Sequence, residues 1–165
     1  MQYSIIGEAD GPTAVFLAGK VGEIGINVFG LLIVALMLIP NIIYAIKYSG
    51  QENKCTNKVM NILEQVGRYG SMILMVLNVE IVTFEFSSIE FFMLYFMGNV
   101  LLILLYWIVW ILFFVKRKAW KAMMLALLPA IIFVMSGITL GNVLLLISGL
   151  LFGVAHMYVT RKNYS

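Results

Sequence analysis

Charge is scarce in this 165-residue sequence: Asp, Glu, Lys and Arg together make up 12% of it. Soluble domains carry about 25%, so a water-facing globular surface is excluded. Cysteine occurs once, as Cys55 in a polar stretch, which rules out an internal disulfide. With His156 the only histidine, a Cys/His zinc site is excluded as well. The chain has no G-x-S-x-G, no H-E-x-x-H, no Walker motif and no glycine-rich strand-to-helix loop. No catalytic constellation emerges, and an enzyme is not expected. No repeat of convincing period, low-complexity tract or soluble domain is visible. The opening MQYSIIGEADGPTAVFLAGK has no basic start, and Glu8 and Asp10 break its apolar run. A cleaved signal is therefore not expected, and insertion falls to the later segments.

What the chain has is hydrophobicity, at 62% of residues. Residues 91–115, FFMLYFMGNVLLILLYWIVWILFFV, carry no formal charge and are followed at once by Lys116-Arg117-Lys118. As a helix this run is about 37 Å long, enough to cross a hydrocarbon core of about 30 Å with some tilt. Similar stretches occupy residues 25–46, 59–84, 122–138 and 143–159. Pro40 predicts a kink over residues 36–40, and Pro129 sits inside the fourth stretch. The expected fold class is all-α, a polytopic integral membrane protein with five transmembrane helices. Residues 1–24 form an external segment and residues 25–165 a single five-helix domain. The short connections make consecutive helices antiparallel neighbours.

Orientation follows from the basic residues. Lys47, Lys54, Lys58, Lys116, Arg117, Lys118, Lys121, Arg161 and Lys162 fall at one set of ends. Lys20 alone falls at the other, and Arg68 lies within the second helix. Their confinement to short loops marks them as topology signals, so nucleic acid is not an expected partner. The positive-inside rule places the amino terminus outside and the carboxyl terminus in the cytoplasm. The expected partner is a lipid bilayer and the expected location a cell membrane.

Polar residues inside a span cost on the order of 3 kcal/mol each when charged, so each needs a reason. Glu64 and Arg68 share a helix face near its basic end, either as a neutralising pair or as part of an inner vestibule with Asn41 and His156. His156 reads as a hydrogen-bonded packing residue or as a proton relay. Toward the opposite end, Glu80, Asn78 and Asn99 fall at comparable depth, and their oxygens suit a cation. Gly149-x-x-x-Gly153 permits close helix approach, within the monomer, between copies or with a membrane partner.

The segment Ile5-Ile6-Gly7-Glu8-Ala9-Asp10-Gly11-Pro12-Thr13 resembles the beta subunits of sodium-ion-translocating decarboxylases, around their A-D-G-P-T core. That resemblance implies sodium binding at Asp10, with Gly11, Pro12 and Thr13 matching the same core; Glu80, Asn78 and Asn99 are candidate ligands by their depth and oxygen chemistry alone. Glu8 stands where the family usually has a second glycine. Further on, LIPNIIYAIK and ILEQVGRYG resemble small polytopic membrane proteins of Gram-positive bacteria, which implies a bacterial plasma membrane. Two functions are expected from these readings: a component of a cation (sodium)-translocating system, or a non-transporting assembly or regulatory protein. Sodium is the one ion implied, and no other cofactor or metal is.

Overall fold

Polar side chains start the helices. Asn27, Asn57 and Ser88 have extended backbone and accept the N–H of Gly30, Met60 and Phe91 at 2.9, 3.2 and 3.4 Å. Asn142 does the same for Leu145 at 2.8 Å. Each cap satisfies a donor that the first turn leaves unpaired. The computed structural model describes residues 19–21, 24–49, 53–78 and 88–164. Among them are five helices, four of which begin at these caps: α1 (Val28–Lys47), α2 (Lys58–Val76), α3 (Ile89–Val115), α4 (Ala119–Thr139) and α5 (Val143–Tyr164). The α4 helix has no side-chain cap. Instead, Lys121 Nζ reaches back to the carbonyls of Leu112 and Lys116, at 2.6 and 3.1 Å, and closes the end of α3.

The second helix is shorter than hydropathy predicts. It stops at Val76, not at residue 84, and Leu77 turns to extended backbone. The peptide groups released there find new partners. Leu77–Asn78 (β3) pairs antiparallel with Ile24–Ile26 (β2), which pairs with Gly19–Val21 (β1). The body is helical as expected, and this small ladder adds to it at one end. α1 starts three residues late, at Val28. α4 starts at Ala119, and α5 runs on to Tyr164.

Consecutive helices alternate in direction. Glu64 faces His156, and Ser71 faces Ser148, so α2 and α5 are antiparallel. Gly149 meets Phe133, and Gly153 meets Ala130, so α4 and α5 are antiparallel too. Asn99 meets Ser136 across α3 and α4, while α1 runs parallel to α3, with Asn27 on Tyr95 and Asn41 on Tyr106. One end of the bundle therefore gathers Asn27, Val76, Tyr95 and Asn142. The other gathers Lys47, Lys58, Arg117, Lys121 and Tyr164. The centre is α4, whose Leu128, Ile132 and Phe133 are fully enclosed.

Four of the helices, α1, α3, α4 and α5, are long and apolar enough to cross a membrane. α2 is less apolar along its length than these four, and its polarity is inside out. Glu64, Gly67 and Ser71 are buried, while Val59, Ile62, Val66, Tyr69 and Ile73 are exposed. In water this arrangement would expose the wrong face. It suits a helix whose outer surface meets lipid.

Candidate functional site

The site lies between α2 and α5, and glycine makes it. A Cβ on Gly67 would stand 2.8 Å from the backbone N and Cα of Phe152, so the two helices touch only because that position has no side chain. This contact brings Glu64, one turn earlier, against His156, one turn after Phe152. The Glu64 side chain is 7% exposed, and its Oε1 accepts from His156 Nδ1 at 2.8 Å and from Arg68 Nη2. An ionised carboxylate has no hydrogen to give. His156 therefore donates from Nδ1, as the neutral Nδ1–H tautomer or as imidazolium. Phe152 closes the group. Its ring stacks on the His156 ring at 4.9 Å, and the Arg68 guanidinium lies 5.9 Å from its centre. Ser148 continues the seam, accepting from Ser71 at 3.0 Å and donating to the Gly67 carbonyl at 3.2 Å.

Chemically this is one buried carboxylate with two nitrogen donors. Removing a carboxylate from water costs several kcal/mol, and a guanidinium plus an imidazole at hydrogen-bond distance offsets that cost. The group is neutral with His156 neutral and gains one positive charge when His156 is protonated. It can hold a proton at a position shared by two helices.

Three of the four inner candidates thus come together. Asn41 does not join them: its Nδ2 donates to the Met37 carbonyl and to Tyr106 Oη, each at 2.7 Å, tying α1 to α3. Among the opposite-end candidates, Asn99 is fully buried. It donates to the Tyr95 carbonyl at 2.7 Å and to Ser136 Oγ at 3.2 Å. Asn78 lies in β3 opposite Gly25. Asp10, Thr13 and Glu80 lie outside the described residues. Among the described residues no group of three His, Cys, Asp or Glu could hold a metal ion. Gly149 and Gly153 are occupied within the chain, where they seat α5 on Phe133 and Ala130 of α4.

Sequence reasoning missed a polar layer at the amino end of α1. Asn27 Nδ2 donates to Tyr95 Oη at 3.0 Å, and Asn142 Nδ2 donates to the Leu74 carbonyl at 3.4 Å. Both residues also cap helices, and a helix-start reading of Asn27 and Asn142 could have found them. Beside α4 and α5 lies an apolar cleft of about 390 Å³, walled by Leu94, Ile131, Met135, Gly153 and Val154. No protein-family model, curated protein or solved structure matches this chain.

Proposed function

We propose that this chain is a multi-pass cell-membrane protein in which all five helices cross, with the amino terminus outside and the carboxyl terminus in the cytoplasm. Its working part is the Glu64–Arg68–His156 group, where a proton is taken up and released as part of cation handling. The observation that carries this reading is the Glu64 carboxylate, buried between two helices and bonded to an ionisable ring on the second. Buried ion pairs are often no more stable than a well-packed apolar replacement. A group this costly in a lipid-facing bundle is better explained by use than by stability. His156 has no acidic neighbour on its own helix, and Glu64 of α2 supplies one.

A second reading has its own support. Asn27 with Tyr95, Asn99 with Ser136 and Ser71 with Ser148 each join two helices. Polar pairs of this kind act as glue between membrane helices, which suits a non-transporting assembly or regulatory protein. The sodium role implied by the amino-terminal resemblance rests on Asp10, Thr13 and Glu80.

One experiment separates the three. In proteoliposomes, the wild type should dissipate an imposed pH gradient, and Glu64→Gln should abolish that flux with expression and orientation unchanged. Sodium flux lost in Asp10→Asn but kept in Glu64→Gln would favour the sodium reading instead. Absence of both fluxes in the wild type would leave the assembly reading.

A further inference from the structure

One flank of α2 is polar and open, and packing against α5 does not use it. Asn61, Gln65 and Arg68 follow one another at i, i+4 and i+7, a spacing that puts them on one side of the helix. Asn61 is bonded to the preceding loop, where its Nδ2 donates to the Cys55 carbonyl at 2.9 Å. Gln65 is exposed, and the Arg68 side chain is 31% exposed. These two stand seven and ten residues beyond Lys58, about 10 and 15 Å along the helix. Where α2 crosses a bilayer, an amide and a guanidinium open at that depth face water, because lipid chains offer no hydrogen bonds.

The second half of α1 is equally open. Of residues 41–47 only Tyr44 is not exposed, and it packs on Trp110 and Phe113 of α3, with ring centres 5.4 and 5.9 Å apart. Asn41 is therefore a second open amide, six residues or about 9 Å inside Lys47. Tyr106 of α3 connects the two: its hydroxyl accepts from Asn41 Nδ2 at 2.7 Å and lies within electrostatic reach of Arg68. Toward the opposite end α1 and α2 close on each other. The Met75 carbonyl lies against Gly30, and the Asn27 N–H donates to the Val76 carbonyl at 2.8 Å. Ile33, Met37 and Met75 are buried there.

We propose that a water-filled cleft enters the bundle between α1 and α2 from the basic end, along Asn41 and Gln65, and stops at Arg68. This deepens the proton reading above and rests on it, and on α2 crossing the membrane. The cleft puts the Glu64–His156 pair in proton exchange with the cytoplasm, while Met37 and Met75 bar the way to the outside. Its occupant is water, which accepts from the guanidinium and bonds the two open amides. Access from one side alone is what a carrier of protons needs, since a path open to both sides at once would be a leak.

The test is thiol modification of the full chain in membrane vesicles, in a Cys55→Ser background, by a charged methanethiosulfonate that cannot cross the bilayer. The reagent attacks the thiolate, which forms in water and not in hydrocarbon, so Gln65→Cys should react from the cytoplasmic side about tenfold or more faster than Val66→Cys. Val66 is at the same depth on the apolar face. Asn41→Cys should react as Gln65→Cys does, with Ile42→Cys as its slow neighbour. Asn41→Cys also loses the bonds to Met37 and Tyr106. Gln65, exposed and without a bonded partner among the described residues, is therefore the deciding position. Three results would each overturn the cleft: Gln65→Cys as slow as Val66→Cys, both equally fast, or Gln65→Cys modified from the outside. Labelling reads water and not flux. Fast modification of Gln65→Cys in a protein that moves no protons would leave the cleft standing and remove only the proton reading.

Discussion

Pro40 has no N–H, so the carbonyl of Leu36, one turn back, loses its helical partner. The structure supplies a replacement from α3: Trp107 Nε1 donates to that carbonyl at 3.1 Å. A proline expected only to bend α1 has instead become a docking point for a neighbouring helix. Trp107→Phe should therefore cost about 1 kcal/mol in a mixed-micelle unfolding titration. In a Pro40→Ala background the backbone regains an N–H that can bond the Leu36 carbonyl, and that cost should largely vanish. An equal cost in both backgrounds would mean that the indole contributes by packing alone. The same reasoning applies to Glu64. Arg68→Gln leaves the carboxylate with His156 as its one charge-assisted donor. Because Arg68 is 31% exposed, the loss should be about 2 kcal/mol, less than for a fully enclosed pair. Adding Glu64→Gln should return part of it, a coupling of about 1–2 kcal/mol measured by the double-mutant cycle. Simple additivity would show that the two side chains do not depend on each other.

At the level of the helix, α2 is where hydropathy and packing part company. Its sequence alternates Val59, Ile62, Val66, Tyr69 and Ile73 with Glu64, Gly67, Arg68 and Ser71, a pattern that would place the apolar face inward in a soluble bundle. Here the polar face is inward, against α5. Two substitutions measure that inversion. Gly67→Ala puts a methyl 2.8 Å from the Phe152 backbone. The helices would have to separate, at a cost of about 1–3 kcal/mol in the same titration. Val66→Lys, on the exposed stripe, should lower membrane insertion by about 3 kcal/mol on a glycosylation-reporter scale. If Val66→Lys inserts as well as wild type, α2 lies at an aqueous surface instead of in lipid. The existence of α2 and the side of it that carries Glu64 and Arg68 were readable from i, i+4 spacing. Its end at Val76 was not, because hydrophobicity by itself does not separate a helix from an extended segment.

Across the whole molecule, alternating helix directions put every described basic cluster at one end, and positive charge is retained on the cytoplasmic side during insertion. A cysteine probe placed at Ser88 in a Cys55→Ser background should therefore be labelled only from outside, and a reporter fused after Ser165 should be cytoplasmic. Labelling of position 88 from the cytoplasm would mean that α2 does not cross.

Sequence alone determined that the chain is largely helical, where four segments long and apolar enough to cross a membrane lie, and which polar residues stand among its helices. Those properties depend on length, charge and hydropathy, which are summed along the chain and need no knowledge of neighbours. Only the tertiary structure decided that Glu64 meets His156, that Asn41 turns to Tyr106, and that Gly149 and Gly153 serve α4. Those pairings join different helices, and the first spans 92 positions of the chain. Which faces meet across such distances depends on where glycines allow backbones to touch and on the need to pair every buried polar group. Both conditions belong to the packed bundle as a whole and to no single stretch of its sequence.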